Sequence, residues 1–136
     1  MATKIKSFSV ITARVVLGLI YFVFGLNFFL QFLPAPPPPQ GAALNFVSGL
    51  FQAGYFFPFM KTFEVILGAL LIIGFFVPVS LVVLMPITIN VLLFHSFLSP
   101  GNALMSVVMI VLHLYLAWAY RDYFRVLLSL KTRPAL

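Results

Sequence analysis

Six polar side chains interrupt otherwise apolar segments of the chain, and their types suit proton transfer and hydrogen bonding. They are three amides, a lysine, a glutamate and a histidine: Asn27, Gln31, Lys61, Glu64, Asn90 and His95. Glutamate and histidine act as proton donors and acceptors in many proteins. Amide and ammonium groups can hydrogen-bond a carbonyl or hydroxyl group. We therefore take Glu64 and His95 as candidate catalytic proton carriers, and all six residues as candidate ligand-binding residues.

Glu64 is the most costly of these residues, because it lies inside the apolar segment Pro58–Phe76. That segment is long enough to cross a bilayer. A carboxylate in a transmembrane helix costs about 2.5–3.5 kcal/mol on insertion scales, and it usually faces the bundle interior or a wet cavity. Lys61 precedes Glu64 by three residues, so it can pair with the carboxylate or extend towards water. A purely structural ion pair is the alternative to a proton-exchanging site.

The composition is typical of an integral membrane protein. Of 136 residues, 63% are hydrophobic and 7% are charged, which is more apolar surface than a soluble domain of this size can bury. The net charge of +6 comes from basic residues at the ends of apolar segments. This pattern indicates membrane orientation, not nucleic-acid binding. The chain has no cysteine, which excludes disulfides, thiolate metal sites and haem attachment through cysteine. We expect no metal site of another kind and no covalently attached cofactor.

Four long apolar segments predict an all-α fold, an integral membrane antiparallel four-helix bundle that forms one domain over residues 1–136. The predicted spans lie at about 11–33, 58–76, 80–98 and 103–120. Each has roughly the 20 residues that a helix needs to cross the hydrocarbon core. The connections after the second and third spans are very short, so we expect consecutive helices to pack as antiparallel neighbours.

Two further segments lie outside the predicted spans. Pro34–Pro39 ends the first helix, and residues 42–54 follow it with apolar side chains at helical spacing. Because that second stretch is too short to cross a membrane, we expect a short interfacial or re-entrant helix. Residues 121–136 are predicted to form a cytoplasmic amphipathic tail, with the fourth helix continuing to about Leu130.

Basic residues predict the orientation of the bundle. All of them except Lys61 lie near the two chain ends, and the three loops between spans contain no lysine or arginine. By the positive-inside rule, both termini are expected in the cytoplasm, which agrees with an even number of spans. The proline-rich loop and the interfacial helix then lie on the outer side of the membrane.

With this topology, a helical rise of about 1.5 Å per residue gives the depth of each polar residue in the membrane. All six fall in the outer half of the bundle. Their convergence predicts one polar pocket under the outer loop. The alternative for Asn27 and Asn90 is interhelical hydrogen bonding without a ligand, at about 0.6–2 kcal/mol each. His95 could equally be an interfacial residue. His113 lies roughly 10 Å deeper than His95, so we do not expect the two histidines to share a metal or haem.

The chain resembles the DoxX-like family of small membrane proteins. The matching features, from about Ile11 to Leu130, are Phe24-Gly25-Leu26-Asn27 with Phe32 and Pro34, Gly54-Tyr55-Phe56 with Pro58, Glu64 with Gly68, Pro78, Pro86, Asn90, Phe94-His95, Pro100-Gly101 and Tyr120-Arg121. The resemblance implies a four-helix bundle in a bacterial inner membrane. It also implies a link to quinone-reducing thiosulfate oxidation and to membrane oxidoreductase assemblies in oxidative-stress defence.

We therefore expect a small quinone- or lipid-binding subunit associated with a membrane redox system. In that case the chain is an enzyme only as a subunit of a quinone-linked oxidoreductase. Quinone or lipid would bind non-covalently, and the expected partners are membrane lipids, membrane or peripheral redox proteins and a second copy of the chain. Nucleic acid is not an expected partner.

Two other functions remain open at this point. One is a non-enzymatic assembly or scaffold protein, because distant relatives in animal membranes resemble receptor assembly chaperones. The other is a small-solute transporter, although four short spans show no inverted repeat of the kind that many transporters have. The absence of cysteine argues against a thiol-based version of the redox role.

Overall fold

The protein is all-helical, as the sequence predicts. A computed structural model describes residues 2–134, and no strand occurs among them. The helices are α1 (Ala2–Leu30), α2 (Gly41–Gln52), α3 (Phe56–Ile73), α4 (Val77–Phe97), α5 (Ala103–Ala119) and α6 (Arg121–Phe124), with a 3₁₀ turn at Pro100–Asn102.

Four of the helices are long and apolar enough to cross a membrane, which confirms the predicted number of spans. The segments are Lys6–Leu30, Phe56–Ile73, Val77–Phe97 and Pro100–Ala119. Helix α2 has only 12 residues and lies between the first two of them, in agreement with the predicted short helix. We call the end of the bundle that holds α2 the α2 side, and the opposite end the termini side.

Helices α1 and α3 pack closely and antiparallel, because glycines line their contact. A Cβ atom added at Gly18 would lie 2.8 Å from the carbonyl oxygen of Gly68. One added at Gly25 would lie 3.1 Å from the Cβ of Glu64. As the residue number rises along α1, the number of the contacting residue in α3 falls, so the two helices run in opposite directions. We call this contact the α1–α3 seam.

The turn between α3 and α4 is formed by Gly74, Phe75 and Phe76. Gly74 has φ +86°, a left-handed conformation that glycine adopts without a steric penalty. Its amide and that of Phe75 both donate to the carbonyl of Leu70, which ends α3. The predicted spans 58–76 and 80–98 place the turn at Val77-Pro78, but this pair instead begins α4. Proline is favoured there because the first turn of a helix needs no amide donor.

The bundle core contains polar as well as apolar side chains. Leu17, Tyr21, Leu71, Leu81, Leu84 and Leu116 are among its apolar and aromatic members. Four polar residues on α4 and α5 are completely buried: Ser80, Thr88, Ser106 and His113. Since buried polar groups are costly without hydrogen-bond partners, their contacts determine what the interior can do.

The segment after α5 differs from the predicted amphipathic extension. Helix α5 ends at Ala119, and α6 adds only one further turn before the chain leaves helical geometry. Phe124 packs against the core, while Leu127 and Leu128 lie beside α4 and α5. The prediction of a helix to Leu130 was therefore wrong: α6 ends at Phe124, and the apolar residues beyond it are largely exposed, so they provide no buried face to stabilise a longer helix.

Candidate functional site

Lys61 and Glu64 form a salt bridge near the α2 side. Lys61 Nζ donates to Glu64 Oε2 at 2.9 Å, and the two side chains are 20% and 4% exposed. The carboxylate fits between α1 and α3 because Gly25 has no side chain opposite it. The lysine lies one turn nearer the helix end, so its stem can reach outward while its ammonium group contacts the acid.

Asn27 and Gln31 lie where α1 ends. The Oδ1 atom of Asn27 accepts a hydrogen bond from the Leu33 amide at 2.8 Å. Gln31 is exposed, and its backbone is left-handed with φ +50°. Asn27 therefore stabilises the backbone where it leaves α1, because its side-chain oxygen accepts from a backbone N–H that has no acceptor within the helix.

Asn90 points away from the bundle interior. It follows the buried Thr88 by two residues, which is a rotation of about 200° around an α-helix, and it is exposed. It lines a cavity of about 400 Å³ between α3 and α4, which we call the α3–α4 groove. The other lining residues are Phe56, Phe59, Met60, Phe63, Val83, Pro86 and Ile87.

His95 lies in the last turn of α4 and is partly buried. Its ring meets Phe94 edge to face, with ring centroids 5.3 Å apart. The Nδ1 atom is buried and has no hydrogen-bond partner within residues 2–134. His95 makes no described contact with Lys61 or Glu64, and its role as a proton carrier stays a prediction.

The six predicted site residues do not form one pocket. Lys61 and Glu64 contact each other, but Asn27 bonds a backbone amide, Gln31 faces solvent and Asn90 faces the outer surface of α4. The sequence gives the depth of a residue in a helix, whereas its direction depends on how each helix is rotated against its neighbours. The expectation of a single outer-half polar pocket is corrected accordingly.

A different polar chain occupies the centre of the bundle. The Tyr21 hydroxyl on α1 is hydrogen-bonded to the Thr88 hydroxyl on α4. Thr88 Oγ1 lies 2.8 Å from His113 Nδ1 on α5. His113 Nε2 lies 2.8 Å from the Leu81 carbonyl oxygen. We call Tyr21, Thr88 and His113 the central chain; it joins three of the four long helices.

The donor and acceptor types set the direction of each hydrogen bond in the central chain when His113 is neutral. A carbonyl oxygen only accepts, so His113 Nε2 carries a proton and donates it to Leu81. In the neutral imidazole, Nδ1 is then an acceptor, and Thr88 donates to it. Tyr21 in turn donates to Thr88. Every member of the chain is thereby satisfied inside a nearly dry interior.

Glu64 lies beside the start of the central chain. The Cβ of Tyr21 would be 3.1 Å from a Cβ at Gly68, and Gly68 follows Glu64 by one helical turn. Tyr21 and Glu64 thus face the same α1–α3 seam, about one 5.4 Å turn apart. The seam therefore brings a buried ion pair next to a buried hydrogen-bond chain.

His113 also forms part of the wall of a second cavity, of about 470 Å³. It lies between α4 and α5 towards the termini side, and we call it the α4–α5 groove. Its other lining residues are apolar: Leu81, Val82, Met85, Pro86, Ala117, Phe124, Leu127 and Leu128. The central chain therefore ends at an apolar cavity large enough for a small organic ring.

Sequence reasoning missed Tyr21 and Thr88 and set His113 aside. A signal for them was present, because each lies about 14–15 Å from the α2-side end of its own helix. Hydroxyl and imidazole groups at one depth in three adjoining spans are candidates for mutual hydrogen bonding. The apolar surroundings of Tyr21 and Thr88 hid this signal, since both residue types are also common in ordinary membrane helices.

The fold and these polar groups define a multi-pass membrane protein with four candidate spans and a hydrogen-bonded interior. Comparison with known families then assigns the chain: the sequence model of the DoxX family matches residues 9–97. The chain belongs to the DoxX family. No curated protein and no solved structure matches it. The matched range includes Tyr21, Glu64 and Thr88 and ends before His113.

Proposed function

We propose that this DoxX family protein binds a quinone, or a lipid with a similar polar head, as a small subunit of a membrane redox system. The observation that supports the proposal is the position of His113, which is buried in the bundle and forms part of the wall of the α4–α5 groove. A titratable group at the end of an apolar cavity is a typical feature of sites for apolar ligands with a polar head.

The α4–α5 groove suits an apolar ring. Its volume of about 470 Å³ lies within the roughly 300–1,000 Å³ of small-molecule sites. Val82, Met85 and Leu127 supply apolar contacts, and methionine adapts easily to a flat ligand. The sole polar side chain in this lining is His113, whose Nε2–H is a donor for a ligand carbonyl oxygen in place of Leu81.

The chemistry of a quinone matches the groups near the groove. Reduction of a quinone to a quinol consumes two electrons and two protons. In this proposal the electrons come from a partner oxidoreductase, and the protein positions the quinone and exchanges protons with it. His113 contacts the ligand, and Glu64 is the carboxylic acid that supplies protons to the bundle interior, as the sequence suggested.

The orientation follows from charge. Lys4, Lys6 and Arg14 precede or begin the first span, and the basic residues of the tail follow α5. We propose that the termini side faces the cytoplasm across an inner membrane, since positive charge is retained on that side. The α4–α5 groove then lies nearer the cytoplasmic leaflet and the Lys61–Glu64 pair nearer the outer one. Accessibility of single cysteines introduced at Gln40 and Ser129 to an impermeant reagent would test this.

Trp118 provides a direct test of ligand binding, because it is the only tryptophan in the chain and follows the groove residue Ala117. Quinones quench tryptophan fluorescence on contact. We expect decylubiquinone to quench Trp118 saturably in lipid nanodiscs. The His113→Leu variant should bind at least tenfold more weakly, whereas Ser106→Ala, which removes only a hydroxyl bonded to Ala103, should behave like the original protein.

Mass spectrometry of molecules that co-purify from native membranes distinguishes the two ligand classes. A bound quinone supports the redox subunit, and a bound phospholipid in the same stoichiometry supports the lipid version. Linear, non-saturating quenching that is equal in all three proteins would show simple partition into the bilayer. That result would reject the proposed site.

A further inference from the structure

We propose that Tyr21, Thr88 and His113 form a proton relay between Glu64 and a ligand in the α4–α5 groove. The inference rests on the proposed function for the identity of its final acceptor. The part of the relay from Tyr21 to His113 follows the described hydrogen bonds, which run across the bundle from α1 to α5. The step from Glu64 to Tyr21 belongs to the proposal, and the described hydrogen bonds give Glu64 only Lys61 as a partner. It assigns a positioning and proton-transfer role to two residues of the apolar spans, Tyr21 and Thr88.

Thr88 is the residue that makes the chain switchable. Its hydroxyl lies 3.0 Å from the Leu84 carbonyl oxygen and 2.8 Å from His113 Nδ1. A hydroxyl has one proton to donate, so it can serve only one of these acceptors fully at a time. With neutral His113, Thr88 donates to Nδ1. With protonated His113, Nδ1–H donates to Thr88, which turns its own proton to Leu84.

Both states leave the buried polar groups satisfied. In each, Tyr21 donates to Thr88, and His113 Nε2–H donates to Leu81 or to a ligand. Proton uptake therefore needs only rotation of a hydroxyl, with no movement of a helix. A buried imidazole that could not change its partners in this way would leave an unsatisfied donor or acceptor on protonation, at a cost of about 1–3 kcal/mol.

Few charged groups face His113. Tyr21 approaches from α1 and Thr88 from α4, while the Glu64–Lys61 pair on α3 lies beyond Tyr21. The groove residues contributed by the tail are Phe124, Leu127 and Leu128, all apolar. Asp122 and Arg125 pair with each other at 3.4 Å and are well exposed. Glu64 is thus the acid placed to deliver a proton to the central chain.

The transfer is one concerted step. The carboxylic acid form of Glu64 gives its proton to the Tyr21 oxygen, directly or through one water molecule. Tyr21 gives its own proton to Thr88, and Thr88 gives its proton to His113 Nδ1. The products are a Glu64 carboxylate, held by Lys61, and a His113 imidazolium; Tyr21 and Thr88 are unchanged. The imidazolium then releases the Nε2 proton to the ligand oxygen, which leaves His113 with its proton on Nδ1, and Glu64 is reprotonated from the α2 side. The chain is reset when the two hydroxyls rotate back and His113 exchanges its Nδ1 proton for one on Nε2.

Nuclear magnetic resonance of ¹⁵N-histidine in nanodiscs tests the relay without any enzyme activity. The chain has two histidines, and a His95→Gln sample identifies the His113 signals. We expect neutral His113 to carry its proton on Nε2. Exchange of the imidazole proton with water should slow at least tenfold in Tyr21→Phe, in Thr88→Val and in Glu64→Gln.

Two control variants keep the test independent of folding. Thr88→Ser retains the hydroxyl and should restore the original exchange rate. Tyr115→Phe removes a hydroxyl that bonds Ser9 at 2.6 Å, outside the central chain, and should leave the rate unchanged. Equal exchange rates in Thr88→Val and Thr88→Ser would overturn the relay.

Trp118 quenching by decylubiquinone, measured on the same samples, separates the two proposals. Normal quenching with unchanged exchange rates would reject the relay and keep the binding site. Slowed exchange without saturable quenching in the original protein would keep the relay and reject the quinone site. The relay as proposed expects Thr88→Val to retain quinone binding within about threefold while losing rapid proton exchange.

Discussion

The α1–α3 seam and the α4–α5 interface are built in opposite ways. In the seam, Gly18, Gly25 and Gly68 bring two backbones so close that added Cβ atoms would meet backbone atoms at 2.7–3.2 Å. The α4–α5 interface is bridged by the hydrogen bond between Thr88 and His113 and leaves a cavity of about 470 Å³ beside it. One interface is tightly packed, and the other holds a polar network and open volume.

The difference shows how a small bundle can be stable and still keep an open cavity. In a bilayer, helices associate through close packing and interhelical hydrogen bonds, because lipid tails are as apolar as the helix surfaces. The seam supplies the packing, and the central chain supplies hydrogen bonds at the more open interface. Volume for a ligand can therefore remain between α4 and α5 without separating the helices.

Gly68→Ala should have the largest effect on stability, because its Cβ would lie 2.7 Å from the Phe22 amide nitrogen and 2.8 Å from the Gly18 carbonyl oxygen. Neither backbone can shift without moving its helix. We therefore expect the free energy of unfolding to fall by about 3 kcal/mol, the upper end of the range for overpacked cores. Thermal unfolding in detergent measures it. Gly49→Ala in α2 is the matched control, because nothing lies within 4 Å of its added Cβ. Equal unfolding temperatures for the two variants would contradict the tight seam.

Lys61→Met should destabilise the seam more than Glu64→Gln does. The first change removes the partner of the Glu64 carboxylate, whose side chain is only 4% exposed. Loss of one partner of a buried ion pair lowers the free energy of unfolding by about 3 kcal/mol or more. The second leaves a lysine that can extend to water, so we expect the free energy of unfolding to fall by only about 1 kcal/mol. Chemical denaturation of both variants and of the double variant measures the coupling. The reverse order of the two single variants would show that the ammonium group, not the carboxylate, is the buried charge.

Ala117→Leu should fill the α4–α5 groove and leave the fold intact. Ala117 lines that cavity, so the added carbons have room, and we expect the stability to change by less than about 1 kcal/mol. Quinone affinity from Trp118 quenching should fall about tenfold, or about 1.4 kcal/mol. Val111→Leu, on an exposed position of α5, should leave affinity unchanged. If both variants bind equally, the ligand does not occupy this groove.

Asn27→Ala should destabilise the protein by about 1 kcal/mol, because it removes the acceptor for the Leu33 amide. Asn27→Asp keeps an oxygen at that place and should be nearly neutral. Thermal unfolding of the two variants tests whether Asn27 serves the end of α1. A loss of quinone affinity in Asn27→Asp without loss of stability would instead restore the ligand-binding role that the sequence suggested.

Asn90→Leu should have the smallest effect. The side chain is exposed in the α3–α4 groove, so the change should alter stability by less than about 0.5 kcal/mol. Trp118 quenching should remain that of the original protein, since the two grooves lie on different sides of α4. A tenfold loss of quinone affinity would move the site to the α3–α4 groove.

Much of the site could not be located from residue types alone. Glu64 was identified because a carboxylate in an apolar span is costly wherever it points, and Lys61 followed from its position one turn away. Asn90 was assigned to the interior by its depth, yet it faces outward. Tyr21 and Thr88 were not selected, because a single hydroxyl in a membrane helix carries no marked cost when its partner is unknown.

We could predict from the amino-acid sequence alone the number of candidate spans, the short helix between the first two and the antiparallel order of the others. These features depend on apolar length and on loop length, which are local and additive along the chain. Which polar groups contact one another could be seen only in the packed bundle. That choice depends on the rotation of each helix about its axis, and here the glycines of the α1–α3 seam and the bonds of His113 set it together.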